Sequence, residues 1–323
     1  MTDALRIEGA DRERVRRGRF EIALVLPGAT SSPWGRAVTR AVRLTLESAG
    51  ARLTAVVDPG QDPAAASAAV AHAVDAAPSA IISHPLGGEA SADAHRLAGR
   101  DGARLVLLDE VPPGLLPGRD HATVVTFDEP AIGADAAELL APSIPREGGI
   151  GVLGAATDPL AGSERERAFQ AWIRTHRPDV RMSVGRFGDV SSPGGAALRL
   201  FAEDPGIAGV YVGDGDAAGE VVRRLVAAGH GPAVVSIGLG PEAAVDLAAG
   251  GLVRAIVAPQ PCDQGESAAT AALLALLERP VPARIVVPSL RVTRNTVLEA
   301  FLETWHEHPP PELTAARWGR PGR

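Results

Sequence analysis

The stretch FEIALVLPGATSSPWG, residues 20–35, joins a strand to a loop and then to a helix. Residues 21–26 are a short apolar run of strand formers, and this run ends abruptly at Pro27-Gly28. The loop that follows carries the hydroxyl side chains of residues 30–32 and then Trp34, directly before a helical pattern. Ligands of open α/β sheets bind beyond the carboxyl ends of the strands, so we expect a binding loop here.

Trp34 is the most informative side chain of that loop. An indole ring flanked by hydroxyl groups suits a ligand with one apolar face and a polar rim, which describes a sugar ring. The alternative is that Trp34 starts its helix and packs on its own strand.

Strand and helix patterns alternate along the chain in two successive series. The first series predicts strands at residues 21–26, 52–57, 79–85, 104–108 and 123–127. The second predicts strands at residues 150–153, 181–187, 209–212, 233–237 and 254–258, with final strands at 285–287 and 290–292 and a helix at 295–306. Such alternation predicts an α/β fold of two similar lobes, each with a doubly wound parallel sheet.

The composition is consistent with this architecture. A chain of 323 residues is long for one compact core, so two domains are expected. Hydrophobic residues make up 46% of the chain and aromatic residues only 3%. A core of small aliphatic side chains suits helices layered on parallel sheets.

The charges exclude several classes of function. The net charge of −7 leaves no general attraction for nucleic acid or anionic lipid. Arginines cluster at residues 12–19, and we expect this segment to be a solvated, mobile terminus. The chain has no lysine, which excludes a GxxxxGK[ST] phosphate loop and a Schiff-base lysine.

Cys262 is the single cysteine, which excludes disulfide frameworks and cysteine-based zinc sites, and we predict no metal site. Its place at the start of a predicted helix could lower its pKa, and the alternative is a small buried thiol. No apolar run reaches about 18 residues, so no membrane insertion is predicted. The amino-terminal residues lack an apolar signal-peptide region, so the sequence as it stands predicts a cytoplasmic location, whereas a start further upstream would allow export.

Two glycine-rich stretches resemble the dinucleotide-binding fingerprint. They are GDGDAA at residues 213–218 and GLGPEA at residues 238–243, and each follows a predicted strand. The fingerprint also needs an acidic residue about 20 positions later, and neither residues 236–238 nor 259–260 supply one. We therefore predict no nucleotide cofactor. Neither HExxH nor GxSxG occurs, so no catalytic residue is predicted.

Charged and polar side chains at predicted strand ends are more informative. Asp109 ends the fourth strand, Asp214 follows the strand at 209–212, and Arg165 lies early in the first helix of the second series. Carboxylates and guanidinium groups make directional hydrogen bonds to adjacent sugar hydroxyls. The alternative for each acid is a helix N-cap, and His84 is either a ligand contact or a structural histidine. Asp109 and Glu110 are neighbours on a strand and point to opposite faces, so they do not form a catalytic pair.

Across residues 20–306 the sequence resembles the type I periplasmic binding proteins, in the sugar-binding branch that serves ABC importers. The effector domains of lactose-repressor-type regulators share this architecture. The resemblance rests on stretches in the same order as in the family, namely LPGATSSPWG, VVDPGQDPAAASAAV, AIISHP, LVLLDE, SERERAFQAW, GVYVGDGDAAGEV, VVSIGLGPEAAVDLAAGGL, AIVAPQPCDQGESAATAALLAL and VPSLRVTRNTV.

The resemblance implies a division of the chain. One lobe would comprise residues 20–126 and 260–287, and the other residues 127–259 and 288–306. Three crossings would form a hinge, and closure of the cleft between the lobes would trap the ligand. Residues 1–19 would be a flexible segment, and residues 307–323 a loosely attached tail.

The resemblance also implies a set of ligand-binding residues. The aromatic position falls on Trp34 and the ligand arginine on Arg165. The full implied set is Ser32, Trp34, His84, Asp109, Glu110, Arg165, Asp214, Gly238 and Gln260. The chain departs from the family pattern at Glu110, Gly215, Gly238 and Pro259.

Three functions follow as hypotheses. The first is a non-enzymatic solute-binding protein whose partners are a sugar or polyol and an ABC permease. The second is a cytoplasmic ligand-sensing regulatory module. Direct DNA binding is not expected, because only about 19 residues precede the first strand and a helix-turn-helix needs several dozen. The third is a nucleotide-cofactor enzyme, which the missing acidic residues disfavour.

Overall fold

The computed structural model describes residues 5–156, 161–188 and 192–319. The chain divides into two compact units. The first comprises the chain up to Phe127 together with Gln260–Val287, and the second comprises Asp128–Pro259 together with the chain from Pro288 onward. The chain therefore passes from one unit to the other three times.

Strands and helices alternate through most of the described residues. The strands are β1 (Glu21–Val25), β2 (Arg52–Val57), β3 (Ala80–Ser83), β4 (Arg104–Leu108), β5 (Thr123–Phe127), β6 (Gly149–Ala155), β7 (Arg181–Phe187), β8 (Ile207–Val212), β9 (Ala233–Ile237), β10 (Val253–Pro259), β11 (Arg284–Val287) and β12 (Ser289–Val292). The helices are α1 (Gly9–Gly18), α2 (Pro33–Ala49), α3 (Pro63–Val74), α4 (Glu89–Arg100), α5 (Glu129–Leu140), α6 (Ala161–His176), α7 (Pro193–Glu203), α8 (Gly215–Ala227), α9 (Pro241–Ala249), α10 (Pro261–Leu276), α11 (Val297–Trp305) and α12 (Pro311–Trp318).

The sheet of the first unit has the strand order β11-β5-β4-β3-β1-β2, and all of its pairs are parallel. Its strands are buried aliphatic runs, as expected of a sheet covered by helices. Helices α3 and α4 contribute alanine and valine side chains to one core cluster with β1 and β3. Helix α10 lies close to α2, because a Cβ atom at Gly265 would lie 2.6 Å from the carbonyl oxygen of Val38.

The sheet of the second unit has the order β12-β10-β9-β8-β6-β7. Five strands are parallel, and β12 is antiparallel to β10. Strand β12 begins with Ser289 opposite Pro259, the last residue of β10, so it can only run back toward the start of β10. The two α/β units with largely parallel sheets confirm the predicted fold class, with one antiparallel edge strand that the alternation did not predict.

Both terminal segments differ from the sequence expectation. We expected residues 1–19 to be flexible, but residues 9–18 form helix α1, whose Val15 is buried and whose Arg14 donates to the carbonyl of Leu277 at 3.1 Å. We expected the tail from residue 307 to be loosely attached, but α12 buries Leu313 in the core of the second unit. Leu5 and Val15 are buried in the first segment, and Leu313 is buried in the second with Ala316 packed against the same core, so a few apolar side chains attach each segment.

None of the described helices combines the length and the apolar character that crossing a bilayer requires.

Candidate functional site

The loop between β1 and α2 is held by its own hydrogen bonds. Gly28 has a positive φ of 68° and its N–H donates to Asp58 at 2.9 Å. Ser32 is the N-cap of α2, where its Oγ accepts from the N–H of Gly35 at 2.9 Å. A Cβ atom at Gly35 would lie only 2.1 Å from the carbonyl oxygen of Gly28. The loop is therefore compact, and it places Trp34 in the first turn of α2.

The indole of Trp34 is half-buried and contacts two other polar side chains of the first unit. Its Nε1 donates a hydrogen bond to Oε1 of Gln264 in α10, at 3.1 Å. Its ring meets the ring of His84 edge to face, with the centroids 5.6 Å apart. Both contacts come from residues far away in the sequence, so the fold and not the loop alone fixes the orientation of the indole.

Asp109 connects these side chains. Its Oδ1 accepts from Nε2 of Gln264 at 2.6 Å, and its Oδ2 lies 3.4 Å from Nε2 of His84. Nε2 of Gln264 also donates to the carbonyl of Val125 at 3.3 Å. We call Trp34, His84, Asp109 and Gln264 the Trp34 cluster. Its members come from the starts of α2 and α10 and from the residues that follow β3 and β4.

The backbone of Asp109 is unusual for a residue with a side chain. Its φ is 59°, in the left-handed region that glycine favours. Strain of this kind is retained where the surrounding structure determines the conformation, and it occurs frequently at binding sites. Here the N–H of Asp109 donates to the carbonyl of Val125 at 2.9 Å, while its carboxylate bonds to the cluster.

The surroundings of His84 favour the protonated form of its imidazole. Burial acts to lower its pKa, but the hydrogen bond to Asp109 and the charges of Asp109 and Glu110 outweigh this effect, so the pKa of His84 is raised above 6.5. The side chains of His84 and Asp109 are 19% and 12% exposed. Within the described residues, Nδ1 of His84 has no hydrogen-bond partner. The cluster thus combines an imidazole that favours its protonated form with a carboxylate and an indole, and Nδ1 of the imidazole is buried.

Glu110 and Gln260 are the other predicted site residues of the first unit. Glu110 follows Asp109, and its N–H donates to the carbonyl of Leu108 at 2.7 Å. Gln260 is 2% exposed and directly precedes α10. One helical turn later comes Gln264, which the sequence analysis did not select. Its signal was a glutamine at four-residue spacing from Gln260, on a helix face otherwise made of small residues.

In the second unit Arg165 forms a buried ion pair. Its Nε lies 2.6 Å from Oε2 of Glu129, and the two side chains are only 17% and 10% exposed. The helices α5 and α6 are pressed together here, because a Cβ atom at Gly133 would lie 2.0 Å from the carbonyl oxygen of Arg165. The charge of this arginine is therefore balanced within its own unit.

Asp214 and Gly238 follow β8 and β9. Asp214 is the N-cap of α8 and accepts from the N–H groups of Asp216 and Ala217 at 2.8 and 3.2 Å, which is the alternative role weighed from the sequence. A Cβ atom at Gly215 would lie 2.4 Å from the carbonyl oxygen of Gly238. Gly215 and Gly240 are thus needed where the loops after β8 and β9 pack on each other, since a Cβ atom at Gly240 would lie 2.3 Å from the carbonyl oxygen of Gly215.

Cys262 is buried at the start of α10. Burial raises the pKa of its thiol, which is opposite to the lowered pKa that its place at a helix start suggested. Nη2 of Arg40 lies 3.7 Å from the sulfur and acts against that rise. Among the residues that the structure describes, no group of three or more histidine, cysteine and acidic side chains is placed to hold a metal ion.

The sequence and the fold have relatives. Residues 22–279 match the family model for a periplasmic binding protein domain. No curated protein sequence matches the chain.

Similar solved structures are solute-binding components of ABC transporters. One is a solute-binding protein from Agrobacterium vitis bound to alpha-D-tagatopyranose, with a TM-score of 0.77 and 19% identity over 89% of this chain and 100% of that one. Another, from Mycobacterium smegmatis with bound glycerol, has a TM-score of 0.77 and 19% identity over 87% and 96% of the two chains. An ABC sugar transporter subunit from Rhodobacter sphaeroides has a TM-score of 0.72 and 18% identity over 85% and 98%. At these identities the likeness shows the shared fold.

Proposed function

Because the chain belongs to the periplasmic binding protein family, we propose that it is a solute-binding protein that captures a sugar or polyol for ABC-type uptake. Structures with the same fold carry tagatose, D-arabinose, D-fucose, glycerol or allitol. These ligands are small and rich in hydroxyl groups. We further propose that the chain binds its ligand without transforming it, as expected of a substrate-binding protein.

The observation that carries the proposal is the Trp34 cluster. A sugar or polyol has C–H groups that pack on an indole and hydroxyl groups that need charged or strongly polar partners. The cluster brings an indole, a carboxylate and an imidazole together at the carboxyl ends of β3 and β4, where ligands of open α/β sheets bind. Gln264 holds both Trp34 and Asp109, so the site is largely formed before any ligand arrives.

Each side chain has a distinct part in the proposed binding. The indole provides the apolar contact. The Asp109 carboxylate accepts a hydrogen bond from a ligand hydroxyl through an electron pair that Gln264 does not use. Nδ1 of His84 donates to a second hydroxyl, and the carboxylate at the other ring nitrogen keeps the imidazole protonated.

The residues of the second unit remain proposals from the family resemblance. Arg165 is the candidate donor, and its pair with Glu129 would fix the guanidinium orientation. Asp214 already accepts two backbone hydrogen bonds as a helix cap, so it is the weaker candidate. The double substitution Arg165→Gln with Glu129→Gln leaves no uncompensated buried charge, so it should weaken ligand binding if Arg165 donates to the ligand and leave it unchanged if Arg165 serves only the ion pair.

Isothermal titration calorimetry with tagatose, arabinose, fucose, glycerol and allitol tests the proposal. We expect at least one of them to bind with a dissociation constant well below millimolar, and Trp34→Ala to weaken that binding about tenfold or more. Trp318→Ala is the matched control, because Trp318 is 70% exposed and lies outside the cluster. If the whole panel fails to bind at millimolar concentration, a sugar or polyol is the wrong ligand class.

A further inference from the structure

The first unit contains a cavity at the amino ends of its strands, whereas the Trp34 cluster lies at their carboxyl ends. The cavity has a volume of about 520 Å³, which lies within the range of small-molecule sites. It is lined at the amino ends of β4 and β5 by Arg104 and Ala122, and at the carboxyl ends of α4 and α10 by Gly99 and Ala275. Strand β4 separates it from Asp109 by roughly 16 Å, at about 3.3 Å per residue. The cavity is therefore distinct from the Trp34 cluster.

One wall of the cavity is a loop with a fixed carboxylate. Asp120 accepts from the N–H of Leu116 at 2.8 Å and from Nη2 of Arg119 at 2.7 Å. The hydrogen bond from Arg119 lowers the pKa of Asp120, and that from Leu116 adds to the effect. These contacts neutralise the Asp120 charge and hold the loop in place, so the next residue, His121, has a defined position.

The loop also carries His121, a buried polar residue of the cavity lining. The residue belongs to the cavity lining and is only 4% exposed, and both of its ring nitrogens are buried. Within the described residues, neither of its ring nitrogens has a partner in hydrogen-bonding geometry. Burial lowers the pKa of His121, and this outweighs the raising effects of the Thr123 backbone and of Asp120. The ring is then neutral near pH 7 and presents one donor and one acceptor, and buried polar groups of this kind normally have partners.

The remaining charges of the cavity favour an anion. Arg104 and Arg279 both line it, and neither forms an ion pair with another described residue. The lining has two carboxylates. Arg119 neutralises that of Asp120, and Glu278 balances only one of the two remaining arginines, so the lining side chains carry a net positive charge. An excess of positive charge carried by guanidinium groups is the arrangement that recognises carboxylate and phosphate groups.

We propose that this cavity is a second ligand site, which takes a small organic anion. Arg104 and Arg279 bind its carboxylate or phosphate group, and the neutral ring of His121 hydrogen-bonds to a polar group on its body. This site does not depend on the sugar site and goes beyond the proposed uptake function.

Calorimetric titration of the full chain with citrate and with inorganic phosphate, at low salt, tests the proposal. We expect saturable binding of at least one probe, with citrate favoured if the body of the ligand contributes. The double substitution Arg104→Gln with Arg279→Gln should weaken binding at least about tenfold, because it removes both charge partners. Arg100→Gln is the control, since Arg100 is an exposed arginine of α4 outside the lining.

The imidazole NMR signals give a second readout. The signal that disappears in His121→Gln should shift when the bound probe is added to the wild-type protein. Trp34→Ala should retain anion binding, so a failure of the sugar site and a failure of this site are distinguishable. The proposal is overturned if neither probe binds at millimolar concentration, if Arg100→Gln weakens binding as much as the double substitution, or if the His121 signal does not move.

Discussion

At the scale of single residues, Gln264 shows why the candidate site could be predicted only in part. Trp34, His84 and Asp109 each follow a strand or start a helix, and those positions are visible in the sequence. Gln264 lies within a helix of small residues, and its partners Trp34 and Asp109 are 230 and 155 positions away. The four-residue spacing from Gln260 is a weak local signal, and it does not show that Gln264 contacts Trp34 and Asp109, because only the fold brings these residues together.

Ser32 and Asp214 illustrate a different difficulty. Both stand directly before a helix, where a side-chain oxygen can cap the helix or bind a ligand. The two roles require the same residue types at the same place, so the sequence alone does not separate them, and we weighed the helix cap only for the acidic residues. The structure gives both residues helix-capping hydrogen bonds.

Trp34→Phe separates the apolar from the polar role of the indole. The change keeps an aromatic face but removes the hydrogen bond from Nε1 to Gln264. We expect the free energy of unfolding to fall by about 0.5–1.5 kcal/mol from the lost bond, and more if Gln264 is left without a substitute partner. Urea denaturation measures the loss, with Trp318→Phe as the exposed control. Equal effects of the two substitutions would contradict the role given to Nε1.

The His84–Asp109 pair predicts a pH dependence of stability. The pKa of His84 is raised in the folded state, so its stabilising contribution is fully present below the ordinary value of 6.5 and is lost as the pH rises through the folded pKa. The difference in unfolding free energy between wild type and His84→Gln should therefore be largest at acidic pH and shrink above neutrality. Denaturation series at several pH values measure this difference, and His308→Gln, at an exposed position, is the control. If the difference in unfolding free energy grows with pH, the pKa of His84 is not raised in the folded protein.

At the scale of the elements, the alternation of strands and helices was predictable because buried parallel strands are short aliphatic runs with clear turn signals at their ends. Strands β2, β4, β5, β7 and β9 have the predicted bounds. Helix α12 was missed because its apolar contacts are limited to Leu313 and the partly buried Ala316, which is too weak a pattern to read as amphipathic. The direction of β12 was missed because it depends on pairing with β10, which no local pattern encodes.

The buried ion pair of Arg165 with Glu129 joins helices α6 and α5, and we expect it to affect stability. Removing one partner leaves the other charge buried, so Arg165→Gln and Glu129→Gln should each cost about 3–5 kcal/mol of unfolding free energy. The double substitution should cost clearly less than the sum, because no uncompensated charge is left. A double-mutant cycle by urea denaturation measures the coupling. The matched control is the exposed ion pair of Arg223 with Glu242, for which we expect a coupling free energy of about 1 kcal/mol or less.

At the scale of the whole molecule, the first unit is discontinuous in sequence. Helix α10 and strand β11 are built from residues that follow the main part of the second unit. They supply a sheet strand beside β5 and the helix that carries Gln264. The Trp34 cluster is therefore complete only after most of the chain has been made.

A fragment that ends at Phe127 should fail to fold, because it lacks the helix that packs on α2 and leaves β5 as an unpaired edge. Joining Phe127 to Gln260 through a short Gly/Ser linker and ending at Val287 should restore a cooperative unit. A short linker suffices because Gln264, in the first turns of α10, already donates to the carbonyl of Val125 near the end of β5. Circular dichroism melting of both fragments measures this, and tryptophan fluorescence of Trp34, the single tryptophan of either fragment, reports whether the cluster forms. A cooperative melt of the shorter fragment, or none for the joined one, would show that the two units are not organised as these contacts indicate.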